Sequence, residues 1–182
     1  LVDFVLDNVL PWDEKVWDLK ILDPSCGSGI FLVKAFQRLV HRWENSLSKS
    51  EKQSPNFSKQ KKEKVIELLK NNLFGVDIDK HAVRVASFSL YLALCDELDP
   101  KTLWQEVTFP NLREKQVVAR DFFDEDEPLF RQYKEAVYYD LIIGNAPWGR
   151  DTIKVSKRAE AWAKDNGWET SYGNIGPLFL PK

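Results

Sequence analysis

Apolar residues return along this chain in two rhythms, and their alternation sets the expected architecture. Val2, Val5, Leu6, Val9 and Leu10 recur at helical spacing and stop at Pro11. Leu19 to Leu22 reads as a short buried strand. Ile30 to Trp43 reads as a helix, with Phe31, Ala35, Leu39 and Trp43 along one face. Further on, the pattern predicts a helix over Val65 to Asn71, a strand over Leu73 to Ile78 and a helix over His81 to Cys95. It then predicts a strand over Gln116 to Ala119, an acidic surface turn at Asp124 to Glu127 and a strand over Tyr138 to Ile143. Ser156 is placed to cap a helix running to Asn166, with Gly167 as its stop. Asn45 to Lys62 follows neither rhythm. It is rich in Ser, Lys and Gln, carries Pro55, and reads as a surface insertion and a candidate for disorder.

Strands alternate with helices, and the strands are continuously apolar. That pattern predicts an α/β fold, a mainly parallel sheet with helices on both faces. In such sheets ligands bind beyond the carboxyl ends of the strands. Asp23 to Gly29, Asp77 to Asp79, Asp121 to Phe123 and Asn145 to Trp148 all follow strands. These clusters are therefore expected to converge on one crevice, an argument stronger than any one of them.

Composition narrows the classes. The chain of 182 residues is one domain, long enough to bury a core. A formal net charge of −2 makes it no general magnet for nucleic acid, so any such contact must come from a local patch or from protein outside these residues. Cys26 and Cys95 make neither a disulfide framework nor a zinc quartet, which fits a reducing, cytoplasmic setting. The N-terminus shows no secretory pattern. The apolar stretch around Val85 to Cys95 contains serines and falls short of the ~20 residues of a membrane span, so no membrane partner is expected. His41 and His81 stand apart, and no metal cluster is expected. No Met occurs, even at position 1, so the chain is expected to be a piece of a longer protein.

Gly27 and Gly29 flank Ser28 between a strand and a helix. Glycines there admit a close ligand, and the helix start offers unpaired N–H groups. Leu32 replaces the third glycine of a dinucleotide fingerprint, and no Gly-Lys-Ser/Thr of a phosphate loop follows. A ligand-free tight turn fits Gly-Ser-Gly alone equally well. Asp77 ends its strand where a carboxylate can accept from two ribose hydroxyls. Asp79 is its rival, and either residue also suits a helix cap. Asp121 with Phe122 pairs an acceptor with a ring, which suits an adenine or a simple strand-end turn.

The runs Asp23-Pro-Ser-Cys-Gly-Ser-Gly-Ile-Phe-Leu32, Gly75-Val-Asp-Ile-Asp79, Arg120-Asp-Phe122 and Gly144-Asn-Ala-Pro-Trp-Gly149 together resemble the adenine-N6 DNA methyltransferases of bacterial restriction-modification systems. The resemblance covers roughly residues 1 to 150. It implies a Rossmann-like S-adenosylmethionine-dependent methyltransferase fold, C-terminally incomplete in this chain. Residues 1–182 would be a partial catalytic domain: an N-terminal helix at 1–10, a cofactor-binding half at 19–123 with the insertion at 45–62, and the start of a catalytic half at 138–182. A target-recognition domain would lie outside it. The resemblance further implies that Asp23, Pro24, Ser25, Cys26, Gly27 and Gly29 line the methionine part of S-adenosylmethionine. Asp77 would bind the ribose, Ile78 would pack on the cofactor adenine, and Asp121 would accept from its amino group with Phe122 beside it. The partners implied are DNA, through the full-length protein, and a recognition or nuclease subunit or fused domain. The isolated fragment is expected to methylate little.

An adenine amino nitrogen is a poor nucleophile, because its lone pair is delocalised into the ring. Two acceptors on its N–H bonds favour a tetrahedral nitrogen whose lone pair can meet a sulfonium methyl in line. The Asn145 side-chain oxygen is one acceptor and the Ala146 carbonyl the other. Pro147 stiffens the turn, and Trp148 offers a face for an extruded base. The family pattern has a second proline where this chain has Ala146. The main-chain carbonyl survives that change, but the fixed φ does not. Arg150, Lys154, Lys157, Arg158 and Lys164 follow, placed either to meet phosphates or to form a solvated helix face. Two other functional readings remain open. One is a related methyltransferase acting on protein glutamine or RNA. The other is a degenerate, non-catalytic subunit of a restriction or phage-defence assembly, a reading kept alive by Ala146.

Overall fold

A computed structural model of the chain describes residues 1–126, 130, 138–147, 157–169 and 174–179. Four short apolar segments form its sheet: β1 (Ile21–Asp23), β2 (Leu73–Asp77), β3 (Val117–Ala119) and β4 (Leu141–Ile142). All pairings are parallel and the order is β3-β2-β1-β4. Ile21 lies opposite Leu73 on one side and Leu141 on the other. Strand order reverses between β1 and β4, the position where a doubly wound sheet opens a crevice. The strands are shorter than the apolar runs predict. Pairing of β4 with β1 begins only where the Asp140 carboxylate accepts from Lys20 N at 2.8 Å, so Leu19 and Tyr138 stay outside the ladder.

Alternation along each strand feeds two cores. Ile21, Leu73 and Val117 face one, built with α1 (Val2–Val9), α2 (Ile30–Ser46), α4 (Phe57–Asn71) and α5 (Lys80–Asp96). Leu22, Phe74, Val76 and Val118 face the other, where Ala159 and Ala163 of α7 (Lys157–Asp165) pack beside Ile175 and Leu178. Helices therefore cover both faces, which is why the strands show no polar side. Two buried guanidinium groups of α2 hold α1 and the segment that follows it. Arg38 donates to Leu10 O at 3.0 Å and Asp7 at 2.7 Å, and Arg42 donates to Pro11 O at 2.7 Å and Val16 O at 2.9 Å.

The surface insertion expected at 45–62 is mostly exposed, but its candidacy for disorder is corrected. α2 runs on to Ser46, α3 spans Lys49–Lys52, and α4 starts at Phe57. Ser48 and Glu51 form a reciprocal capping box at the start of α3. Phe57 stacks on Trp43, with ring centroids 6.2 Å apart. Lys61 bridges Glu44 at 2.8 Å and Glu97 at 3.3 Å. The segment is polar because α3 buries nothing and α4 buries only Val65, Leu68 and Leu69, all in its second half. A polar exterior was legible there; local anchors supply the order. The pattern also passed over α6 (Pro100–Glu106), although Asp99 caps it and Pro100 opens it. Among the described residues no helix is long and apolar enough to cross a membrane.

Candidate functional site

The loop after β1 is stitched to the end of β2. Cys26 N donates to Val76 O at 2.9 Å, and Gly27 N donates to the Asp77 carboxylate at 2.9 Å. Gly27 takes φ +53, which suits a residue without Cβ. Gly29, at φ +82, opens α2, and a Cβ there would meet the Ala86 backbone at 3.0 Å. Gly29 thus allows α2 and α5 to approach closely. Cys26 is buried beneath the loop, where burial first, then the charges of Asp23 and Asp77, push its thiol up. It is a packed small residue rather than an exposed nucleophile.

Asp23 is 1% exposed and accepts from Ser25 N at 3.1 Å. Burial pushes its carboxyl up to about 7, against the lowering effect of that N–H, while the Asp77 charge raises it further. Ser25 lines the cleft, and its hydroxyl oxygen is buried with no hydrogen-bond partner among the described residues.

The two aspartates after β2 divide their work. Asp79 accepts from His81 N at 2.7 Å and caps α5. Asp77 accepts from Gly27 N and from Asp79 N, both at 2.9 Å, one on each carboxylate oxygen. Each oxygen accepts twice, so Asp77 retains capacity toward the cleft. Ile78 stands beside it, an aliphatic side chain 50% exposed. After β3, Asp121 accepts from Phe123 N at 3.0 Å, and Phe122 stacks on Phe179 with centroids 5.4 Å apart. After β4, Ile143 N donates to Leu22 O at 2.9 Å and carries the chain over the β1 loop into Asn145, which is exposed.

One cleft of ≈ 210 Å³ joins these strand ends. Pro24 and Ser25 line it from the first loop, Asp77 and Ile78 from the second, Asp121 and Phe122 from the third, and Asn145 and Pro147 from the fourth. Cys26, Gly27 and Gly29 support the loop without lining the cleft, and Asp23 lies beneath it. Arg120 and Phe123, which belong to the cluster expected after β3 but were given no role there, and Ile175 and Phe179, which sequence reasoning missed, complete the walls. The only signal for the last two was the apolar run Ile175-Gly-Pro-Leu-Phe179, whose short 3₁₀ turn at Gly176–Phe179 folds back over the cleft. Ala146 is half-buried in the turn itself. Trp148, Arg150 and Lys154 lie outside the described residues.

Lys157 is exposed at the start of α7, and Lys164 is exposed at its end. Arg158 forms ion pairs with Asp124 and with Asp126, the latter at 3.2 Å. Asp124 also pairs with Arg120 at 3.2 Å. The Arg158 hydrogen bond holds the Asp124 carboxyl at about 2. Among the described residues no group of His, Cys, Asp and Glu can hold a metal ion.

The arrangement offers two chemistries side by side. One end of the cleft pairs carboxylate acceptors with aliphatic and aromatic faces, as a nucleoside requires. The other ends on a side-chain amide and a proline turn. Known proteins are similar to parts of this chain. A 37% identical putative type II restriction enzyme and methyltransferase, RM.MjaORFECS2P of Methanocaldococcus jannaschii, aligns over 59% of this chain and 10% of its own length. The type II restriction enzyme and methyltransferase RM.Eco57I of Escherichia coli is 25% identical over 75% of this chain and 15% of its own. The adenine-specific methyltransferase PglX of Streptomyces coelicolor is 34% identical over 56% and 8%, respectively. The chain thus spans only a small part of these relatives' length. A nuclease-deletion mutant of the Type ISP restriction-modification enzyme LlaGI, solved with a DNA substrate mimic, shares the fold. Its TM-score is 0.50 at 20% identity, over 81% of this chain and 12% of that one. The model of one family, described as Eco57I restriction-modification methylase, matches residues 71–181, well over half of the chain, and the chain belongs to that family.

Proposed function

We propose that these residues transfer a methyl group from S-adenosylmethionine to the N6 amino group of adenine in DNA, as part of a restriction-modification or phage-defence system. The observation that carries this reading is the single cleft joining the ends of β1, β2, β3 and β4. The names of the relatives support DNA as substrate, and PglX with a further relative, BrxX of Escherichia coli, supports adenine. The relatives' length supports recognition and nuclease parts as partners elsewhere in the full protein.

The cleft fits the cofactor. Ser25 brings a buried hydroxyl without a partner among the described residues, and Asp77 retains acceptor capacity for ribose hydroxyls. Ile78 offers an exposed aliphatic face for the cofactor adenine, and Asp121 with Phe122 closes that end. When bound, S-adenosylmethionine supplies an electrophilic methyl group on a cationic sulfur. The chain's own part is to present the amine. The Asn145 side-chain oxygen and the Ala146 carbonyl accept from its two N–H bonds, so its lone pair turns out of the ring plane toward the methyl. Pro147 limits the turn's freedom, and Trp148 follows as the stacking face for the extruded base. With S-adenosylmethionine held there to give up the methyl, the amine nitrogen would bond the carbon as the sulfur–carbon bond breaks, and the amine would lose one proton to solvent. The amide of Asn145 orients the amine and takes no proton.

The test is methyl transfer from labelled cofactor by the full-length protein. Duplex DNA, RNA and a glutamine peptide are offered separately, and the DNA product is digested and identified by mass. N6-methyladenine is expected. Transfer to the peptide or RNA alone would overturn the reading.

A further inference from the structure

Gly144 lies between the end of β4 and Asn145, and it sits directly on the first loop. A Cβ built there would stand 2.6 Å from Asp23 Oδ1 and 3.5 Å from Pro24 Cδ. Asp23 cannot readily give way, being 1% exposed and held by Ser25 N. The far side of the same turn has a second contact of this kind. A Cβ on Gly176 would come 2.8 Å from the Pro147 carbonyl oxygen. Neither glycine has a positive φ, so neither is required by backbone conformation. Space is the remaining reason for a missing side chain at each position.

We propose that Gly144 and Gly176 are positioning residues, spacers that set how closely the Asn145–Pro147 turn approaches the β1 loop. This deepens the methyl-transfer reading and rests on it. The turn holds the acceptor amine and the loop belongs to the cofactor half, so their separation governs the gap across which the methyl moves. An added methyl at Gly144 forces a retreat of at least about 0.4 Å, because close-packed interiors do not accept such contacts. Misplacement approaching 1 Å costs about 10²-fold in rate when reacting groups must align.

The experiment compares wild type with Gly144→Ala, Gly176→Ala, Asp23→Ala and the double variant Asp23→Ala/Gly144→Ala in the full chain. Turnover on duplex DNA, calorimetric affinity for S-adenosylmethionine and melting midpoint are read for each. Gly144→Ala and Gly176→Ala are each expected to lower kcat roughly 10- to 100-fold while cofactor affinity stays within about threefold. Adding Gly144→Ala to Asp23→Ala is expected to cost little more, because the colliding oxygen is gone. Full turnover by Gly144→Ala would overturn the proposal. So would equal losses of affinity and rate, or a strictly additive cycle. Should Gly144→Ala fail to fold, Gly176→Ala and the double variant decide the same question. Wild type without transfer to DNA would instead overturn the adenine reading. The melting cycle then still decides the spacer contact: coupling between positions 23 and 144 supports it, and additivity refutes it.

Discussion

Replacing Asp77 with Asn tests the cofactor half most directly, since it alters charge and acceptor number with little change of shape. The native carboxylate takes Gly27 N on one oxygen and Asp79 N on the other, each at 2.9 Å. An amide has one oxygen, so in either flip its NH₂ faces one of these N–H groups. One charge-assisted bond is lost and the other weakened, at about 1.5–3 kcal/mol for a bond to a charged group. For a chain of this size that lowers the melting midpoint by roughly 3–10 °C. Ribose hydroxyls would lose a charged acceptor as well, by an increment of similar size, so affinity should fall roughly 10- to 100-fold. Calorimetry with S-adenosylmethionine and with S-adenosylhomocysteine reads this. The two losses should match, because the ribose is common to both. Asp79→Asn is the control: asparagine caps a helix as well as aspartate, so affinity and stability should stay near wild type. Affinity within threefold of wild type in Asp77→Asn, or a larger loss in Asp79→Asn, would refute the assignment.

Asn145→Ala should reduce methyl transfer at least ~10²-fold while leaving cofactor affinity unchanged, and parallel loss of both would contradict the division of the cleft. Asp23→Asn should make stability less dependent on pH. A carboxyl raised from 3.8 to about 7 by folding binds its proton more tightly when native, so wild-type stability falls as pH rises through that window and stays lowered above it. The shift corresponds to at most about 4 kcal/mol. Denaturant melts should therefore show Asp23→Asn more stable than wild type at pH 8, with the gap closing toward pH 4. Phe57→Ala removes the ring stacked on Trp43 and should loosen α3 and the first turn of α4 by about 1–2 kcal/mol. Hydrogen exchange confined to residues 47–60 would report it, and unchanged exchange there would show that the capping box alone holds the segment.

The apolar runs that became β1 to β3 were legible because strands buried on both faces show no polar side, whereas β4 was legible as an apolar run although Ile142 is exposed. The clusters at their ends were legible for a related reason: parallel strands point all their carboxyl ends the same way. Local spacing misled at 45–62, where burial is confined to the second half of α4 and the order comes from Ser48, Phe57 and Lys61 reaching particular partners. The residues alone left Asp79 as a rival to Asp77, the resemblance favoured Asp77, and the direction of each carboxylate separates the cap from the cleft wall. Ile175 and Phe179 carried no motif at all. Their place in the wall depends on a return of the chain across a gap in sequence that no local pattern encodes. This chain alone therefore determined the strands, the main helices between them and which residue types meet at the sheet's edge, since periodicity and strand polarity are local properties. The tertiary structure decided which of those residues face the cleft, which only brace it, and how near the turn lies to the loop, since these depend on contacts between residues far apart in sequence.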